Sequence, residues 1–135
     1  MRIAVVGLGS MGQRRIRLLK SRFDVSSEDI VGIDLDEKKR SQAAQEYSIF
    51  TSDDMEGLLA SQDIDAVFVC TGPASHGKII NTCLKNALHV FSEINLVDTL
   101  YEENIELAEQ QEKVLFLSST GMYLSLIHIS EPTRQ

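Results

Sequence analysis

At 135 residues the chain is one domain's worth of sequence, and its 43% hydrophobic and 24% charged content excludes a disordered or fibrous protein. Thirteen basic against 20 acidic residues give a net charge of −7, which argues against nucleic acid or an acidic membrane surface as partner and for a small cofactor or metabolite. No apolar run approaches the ~20 residues that cross a bilayer, and glycines interrupt the N-terminal apolar run with no cleavage site after it. Neither a membrane span nor a signal peptide is expected, and the cytoplasm is the expected location.

The first element is a short apolar strand, Ile3-Ala4-Val5-Val6, that runs directly into Gly7-Leu8-Gly9-Ser10-Met11-Gly12. These residues fit G-x-G-x-x-G, a pattern that asks for a tight turn at Gly7, close backbone approach to a pyrophosphate at Gly9 and close helix-on-strand packing at Gly12. The following helix, Gln13 to Lys20, would present its unpaired N–H groups and positive dipole end to the anion. Ile16, Leu18 and Leu19 make its inner face, and Arg14, Arg15, Arg17 and Lys20 are read as a basic, solvated outer face. A phosphate contact from Arg14 or Arg15 is the alternative.

A second apolar run, Ile30 to Ile33, stops at Asp34, 22 residues after Gly12. An acidic residue at that place can accept both ribose hydroxyls of an adenosine and would repel a 2′-phosphate, so NAD is expected ahead of NADP. Lys38, Lys39 and Arg40 follow closely and partly offset the repulsion. The plainer alternative is that Asp34 and Asp36 only cap the helix that starts near Glu37.

Glu37 to Glu46 reads as an exposed helix, Tyr47 to Phe50 as a third strand, and Ser52 or Asp53 as the cap of a helix reaching Leu59. Ala66 to Cys70 is apolar on both faces, as a central parallel strand should be. Thr71-Gly72-Pro73 ends it, and a helical pattern through Ile79, Ile80, Cys83, Leu84 and Ala87 follows. His89 to Phe91 makes a fifth strand, Tyr101 to Gln111 a helix and Val114 to Leu117 a sixth strand. Cys70 and Cys83 have no metal or disulfide spacing and are read as buried thiols in a reducing compartment.

Strands alternating with helices through short loops demand a parallel sheet with right-handed crossovers. The expected fold is α/β, a doubly wound Rossmann sheet of about six strands. Ligands of such sheets sit beyond the carboxyl ends of the strands. The glycine loop, Asp34, Thr71 to His76 and Ser92 to Asn95 should therefore meet at one cleft.

Three motifs in order, Gly7 to Gly12, Cys70-Thr71-Gly72-Pro73-Ala74-Ser75-His76 and His89-Val90-Phe91-Ser92-Glu93, resemble the N-terminal half of the Gfo/Idh/MocA family of NAD(P)-dependent oxidoreductases. The resemblance covers roughly residues 1 to 120. It implies that Thr71, Gly72, Pro73, His76 and Glu93 line the nicotinamide side of the cleft, with Gly72 standing where the family has its first proline. Two readings of His76 stay open, a cleft residue and a structural hydrogen bond at a helix N-terminus, and Pro73 is expected to fix backbone direction. The family's E-K-P is Glu93-Ile94-Asn95 here, so the lysine beside nicotinamide and substrate is replaced by an isoleucine that cannot donate a hydrogen bond.

Family members continue into an α/β domain that carries the substrate pocket and the acid-base residues, so no catalytic residue is assigned in this chain. Leu124 to Arg134 resembles a translated sequencing-library adapter. The division is therefore 1–123 as the dinucleotide-binding domain and 124–135 as a non-native tail. The expected function is the cofactor-binding half of an enzyme that moves hydride between NAD and a sugar-like or cyclitol-like substrate. That half alone is expected to be inactive, and the whole protein is a possible homo-oligomer. The alternative is a non-catalytic dinucleotide-binding or sensing module. No metal site is expected.

Overall fold

The computed structural model describes residues 1–61, 63–93 and 101–118. Six parallel strands, β1 (Ile3–Val6), β2 (Ile30–Ile33), β3 (Phe50–Ser52), β4 (Ala66–Val69), β5 (His89–Glu93) and β6 (Leu115–Ser118), form one sheet in the order β3-β2-β1-β4-β5-β6. Between them run α1 (Ser10–Arg22), α2 (Glu37–Tyr47), α3 (Met55–Ala60), α4 (Pro73–Lys85) and α5 (Tyr101–Gln111). β1 lies at the centre, with Ile3 opposite Ile30 on one side and opposite Ala66 on the other.

The three central strands β1, β2 and β4 are buried on both faces, which is why they carry short apolar runs. Ile3, Val5, Phe68 and Phe91 face one way and pack with Leu8, with Ile16 and Leu19 of α1, and with Ala43 and Tyr47 of α2. Phe68 and Phe91 stack there with ring centroids 5.1 Å apart. Ala4, Val6, Val67, Val69 and Val90 face the other way, against Leu59 of α3, Ile80, Cys83 and Leu84 of α4, and Ala108 of α5. After β3 the chain returns to lay β4 beside β1, so the connections leaving β1 and β4 part toward opposite faces. The crevice between them opens at the carboxyl edge of the sheet.

The sheet confirms the expected doubly wound α/β fold and its six strands, while element bounds and several side-chain placements differ from the sequence reading: α1 runs Ser10–Arg22, β4 stops at Val69 and β6 is Leu115–Ser118. Tyr47 belongs to α2 rather than to a third strand. It is only 6% exposed, and Arg17 donates to its hydroxyl at 2.9 Å, so packing against α1 holds it in the helix. The cap of α3 is Asp54, not Ser52 or Asp53, because its carboxylate accepts the Gly57 N–H at 3.0 Å. β5 extends through Ser92 and Glu93, which pair in register with Leu117 and Ser118 of β6.

Arg15 is 1% exposed and so does not belong to a basic outer face. It shares the stripe Gly12, Arg15, Ile16 and Leu19, which has the i, i+3, i+4, i+7 spacing of a helix's inner face. Cys83 is buried as expected and its thiol is pushed up to about 12 by loss of solvation, whereas Cys70 is only partly buried. Ile94, Asn95 and the tail 124–135 lie outside the described residues. Among the described residues no helix is long and apolar enough to cross a membrane.

Candidate dinucleotide site

The glycine loop is stitched to its surroundings by backbone hydrogen bonds. The Gly7 N–H donates to the Ile33 carbonyl at 2.8 Å, and the Cys70 N–H donates to the Val6 carbonyl at 2.7 Å. Gly7 has φ +99°, and a Cβ there would come within 2.7 Å of the Cys70 carbonyl oxygen, so no L side chain fits. A Cβ at Gly12 would overlap the Gly7 carbonyl oxygen, because the first turn of α1 sits directly on the strand-to-loop turn. The chain's own packing thus explains two of the three glycines.

Gly9 is different. Its φ of −76° and ψ of −162° suit any residue, and a Cβ would meet nothing nearer than the Lys39 ammonium at 4.0 Å. Folding does not require a glycine at this position. Close approach of a ligand to the backbone does, and a lysine tip beside the opening fits an anion.

The helix starts sort themselves in the same way. α2 and α3 are capped by the chain's own carboxylates, Asp36 accepting from the Lys38 N–H at 2.9 Å and Asp54 from Gly57. α1 and α4 begin at Gly9 and Gly72, with no side-chain cap and no acidic residue in the first turn. A helix leaves its first N–H groups without intrahelical partners. Here the two glycine-started helices flank the crevice between β1 and β4, where an anion would complete them.

Asp34 follows β2 and is held from several sides. Its Oδ2 accepts the Leu8 N–H at 2.8 Å, its Oδ1 accepts the Asp36 N–H at 2.9 Å, and Arg40 donates to its carbonyl at 2.9 Å. Each carboxylate oxygen has two acceptor positions, so one on each remains for a ribose hydroxyl. Of the two sequence readings, it is Asp36 that caps α2. Asp34 ties the glycine loop to the end of β2. The Leu8 side chain is buried, with its Cδ atoms 3.1 Å from where a Cβ on Gly32 would lie, so Leu8 offers the cleft its backbone alone.

Gly7, Asp34 and Thr71 line one cleft of about 290 Å³, together with Val6, Ile33, Leu35, Asp53, Met55 and Ile79. Ser10, Met11 and Gly12 form the first turn of α1. Gly72 is the N-cap of α4, and a Cβ there would meet nothing within 4 Å; Pro73 is the first residue of that helix and His76 lies in its opening turn. Glu93 ends β5 at the same edge of the sheet, two strands from β1. Leu35, Asp53, Met55 and Ile79 were not assigned to the site from sequence. Leu35 had a signal, as an apolar residue set between Asp34 and Asp36 in a polar turn.

A doubly wound sheet with a glycine loop at its switch point and a fixed carboxylate after β2 defines an NAD(P)-binding Rossmann domain. The chain belongs to the Gfo/Idh/MocA family, whose model, described as "Oxidoreductase family, NAD-binding Rossmann fold", matches residues 1–119. It is 30% identical over 116 residues to 4-carboxy-2-hydroxymuconate-6-semialdehyde dehydrogenase of Sphingobium, covering 83% of this chain and 35% of that protein. With myo-inositol 2-dehydrogenase of Thermotoga maritima it shares 29% identity over 121 residues, 86% of this chain and 35% of the relative.

Among solved structures, a probable dehydrogenase from Thermotoga maritima superposes with a TM-score of 0.77 at 25% identity, over 87% of this chain and 36% of its own. Biliverdin reductase from Synechocystis, solved with biliverdin and NADP+, also gives 0.77, at 22% identity over 93% of this chain and 39% of its own, and shows the fold. The chain thus spans a little over a third of the length of these proteins.

Proposed function

We propose that this chain is the cofactor-binding half of an oxidoreductase that moves hydride between NAD and a sugar-like or cyclitol-like carbinol or carbonyl. The observation that carries the reading is the pair of glycine-started helices at the switch point, beside a Gly9 that the fold itself does not need. The backbone of Leu8 to Met11 and the start of α1 hold the pyrophosphate, with the Lys39 ammonium alongside. Asp34 accepts the ribose hydroxyls and disfavours a 2′-phosphate, which places NAD ahead of NADP. Thr71, Gly72, Pro73, His76 and Glu93 face the nicotinamide half.

When bound, the nicotinamide supplies or accepts the hydride, and the residues named here bind and orient it. Inositol dehydrogenases among the relatives favour the cyclitol class. In this reading 1–123 is the domain and 124–135 a non-native tail, the whole protein works in the cytoplasm, and this half alone turns nothing over. Ile94 in place of the family lysine supports a second reading, a non-catalytic dinucleotide sensor, which predicts the same binding without turnover in the full-length protein.

Isothermal titration of the chain with NAD and with NADH tests the proposal. One-to-one binding, tighter for NAD than for NADP, is expected. Absence of binding by both NAD and NADH overturns it.

A further inference from the structure

Gln13 grips the glycine loop at two successive carbonyls. Its backbone N–H donates to the Gly9 carbonyl at 3.0 Å, as the helix ladder requires, and its side-chain Nε2 donates to the Leu8 carbonyl at 3.1 Å. The second bond lies outside the ladder and fixes the plane of the peptide that joins Leu8 to Gly9. The described chain has no cis peptide, and a trans peptide points its C=O and N–H in opposite directions. With the Leu8 oxygen turned onto Gln13, the Gly9 N–H is turned away from it, and no described residue accepts that N–H.

A half-turn of this peptide would exchange the two groups and set a carbonyl oxygen where the donor stood. Such a flip carries the φ of Gly9 from −76° to a positive value, which a glycine tolerates at little cost. The freedom that lets a ligand approach Gly9 therefore also leaves its N–H poorly fixed by the backbone alone.

The Gln13 amide is itself oriented. Arg17 donates to the Tyr47 hydroxyl at 2.9 Å, and that hydroxyl donates to Gln13 Oε1 at 3.4 Å. The acceptor end of the amide thus faces Tyr47 and its donor end faces Leu8. Every donor in the chain from Arg17 through Tyr47 and Gln13 to the Leu8 carbonyl points the same way, so each bond supports the next. The Tyr47 ring is only 6% exposed, which anchors the relay between α1 and α2.

We infer that Gln13, oriented by Tyr47 and Arg17, is a positioning residue that locks the Leu8–Gly9 peptide with its N–H toward the diphosphate of the dinucleotide. The inference rests on the dinucleotide reading and adds to it the residues that hold the loop ready.

The test titrates the whole chain with ADP-ribose, by calorimetry, and with adenosine, which lacks the diphosphate, by NMR. Gln13→Met, which keeps the side-chain length without donor or acceptor, should weaken ADP-ribose by about three- to tenfold, the range of one neutral hydrogen bond. Adenosine should stay within about twofold, since the lock acts only on the diphosphate contact. Tyr47→Phe keeps the buried ring and should weaken ADP-ribose by about two- to threefold, again sparing adenosine. Because Tyr47 acts through Gln13, the double variant should bind ADP-ribose as Gln13→Met does alone.

Each failure has its own meaning. Absence of binding by ADP-ribose, NAD and NADH to the parent overturns the dinucleotide reading. With the parent binding, unchanged ADP-ribose affinity in Gln13→Met overturns the lock and leaves that reading intact. Equal weakening of ADP-ribose and adenosine overturns it too, since general loosening of the domain does not distinguish the two. Losses that add in the double variant, or an unaltered Tyr47→Phe, overturn the relay through Tyr47; that variant also tests the lock independently of how Gln13→Met folds.

Discussion

Replacing the loop glycines one at a time separates what the fold needs from what the ligand needs. In Gly12→Ala the new methyl overlaps the Gly7 carbonyl oxygen, a backbone atom that cannot rotate aside. Overpacking of this kind costs about 1–3 kcal/mol and more where backbone must move, a large part of the ~5–15 kcal/mol that holds a domain together. In Gly9→Ala the methyl enters open space at an unstrained φ of −76°, with a mobile lysine tip 4.0 Å away. Stability should change by less than about 1 kcal/mol, in the favourable direction if the unfolded chain loses freedom.

Binding should respond in the opposite order. The Gly9 methyl occupies the approach of the pyrophosphate to the loop N–H groups, and each charge-assisted hydrogen bond is worth about 1.5–3 kcal/mol. Loss of a single one weakens NADH binding by about tenfold to a hundredfold. Urea unfolding and titration of NADH fluorescence measure the two effects on the same samples. A folded Gly9→Ala protein that binds NADH within about threefold of the parent refutes the argument, because the open space would then not be the phosphate's.

Three further outcomes follow from the same contacts. Asp34→Asn keeps one acceptor oxygen and sets an amide N–H₂ against either the Leu8 or the Asp36 N–H, so it should cost about 1–3 kcal/mol in urea unfolding and shift cofactor preference toward NADP in titration. The Cys83 thiol is raised from 9.0 to about 12, so the unfolded chain loses this proton before the folded one does. Stability should then fall as pH rises through the window from 9 to 12, by about 1.4 kcal/mol per unit relative to a Cys83→Ala variant, and a thiol reagent at pH 8 should leave Cys83 unmodified until urea is added. Asn104 is 1% exposed, donates to the Gly77 carbonyl at 3.1 Å and accepts from Asn81 at 3.1 Å, so Asn104→Leu, which removes both bonds between α4 and α5, should lower the unfolding free energy by about 1–3 kcal/mol.

Local signals carried most of the architecture. The bounds of β1 and β2 were legible because each is an apolar run cut off by a residue that cannot continue it, Gly7 or Asp34. The place of Tyr47 was not, because an aromatic residue at a helix end carries strand propensity that only its packing against α1 overrules. The choice of Asp54 over Asp53 as cap was equally hidden, since adjacent aspartates have the same propensity and only the path of the chain decides which carboxylate reaches Gly57.

The sequence by itself determined the doubly wound order of elements, the glycine loop and the carboxylate after β2, because each depends on residue type at a fixed local spacing. The division of labour among them was decided by tertiary structure. The positive φ and the close approach of the end of β4 explain Gly7, close packing of α1 on the turn explains Gly12, and neither accounts for Gly9. The register of β2 against β1 brings Asp34 to the Leu8 N–H, and the pairings of β2 with β1, β3 with β2 and β4 with β1 bring Leu35, Asp53, Met55 and Ile79 to one cleft. These residues stand up to 44 positions apart in the chain, from Leu35 to Ile79, and only sheet pairing at the switch point supplies the reason they meet.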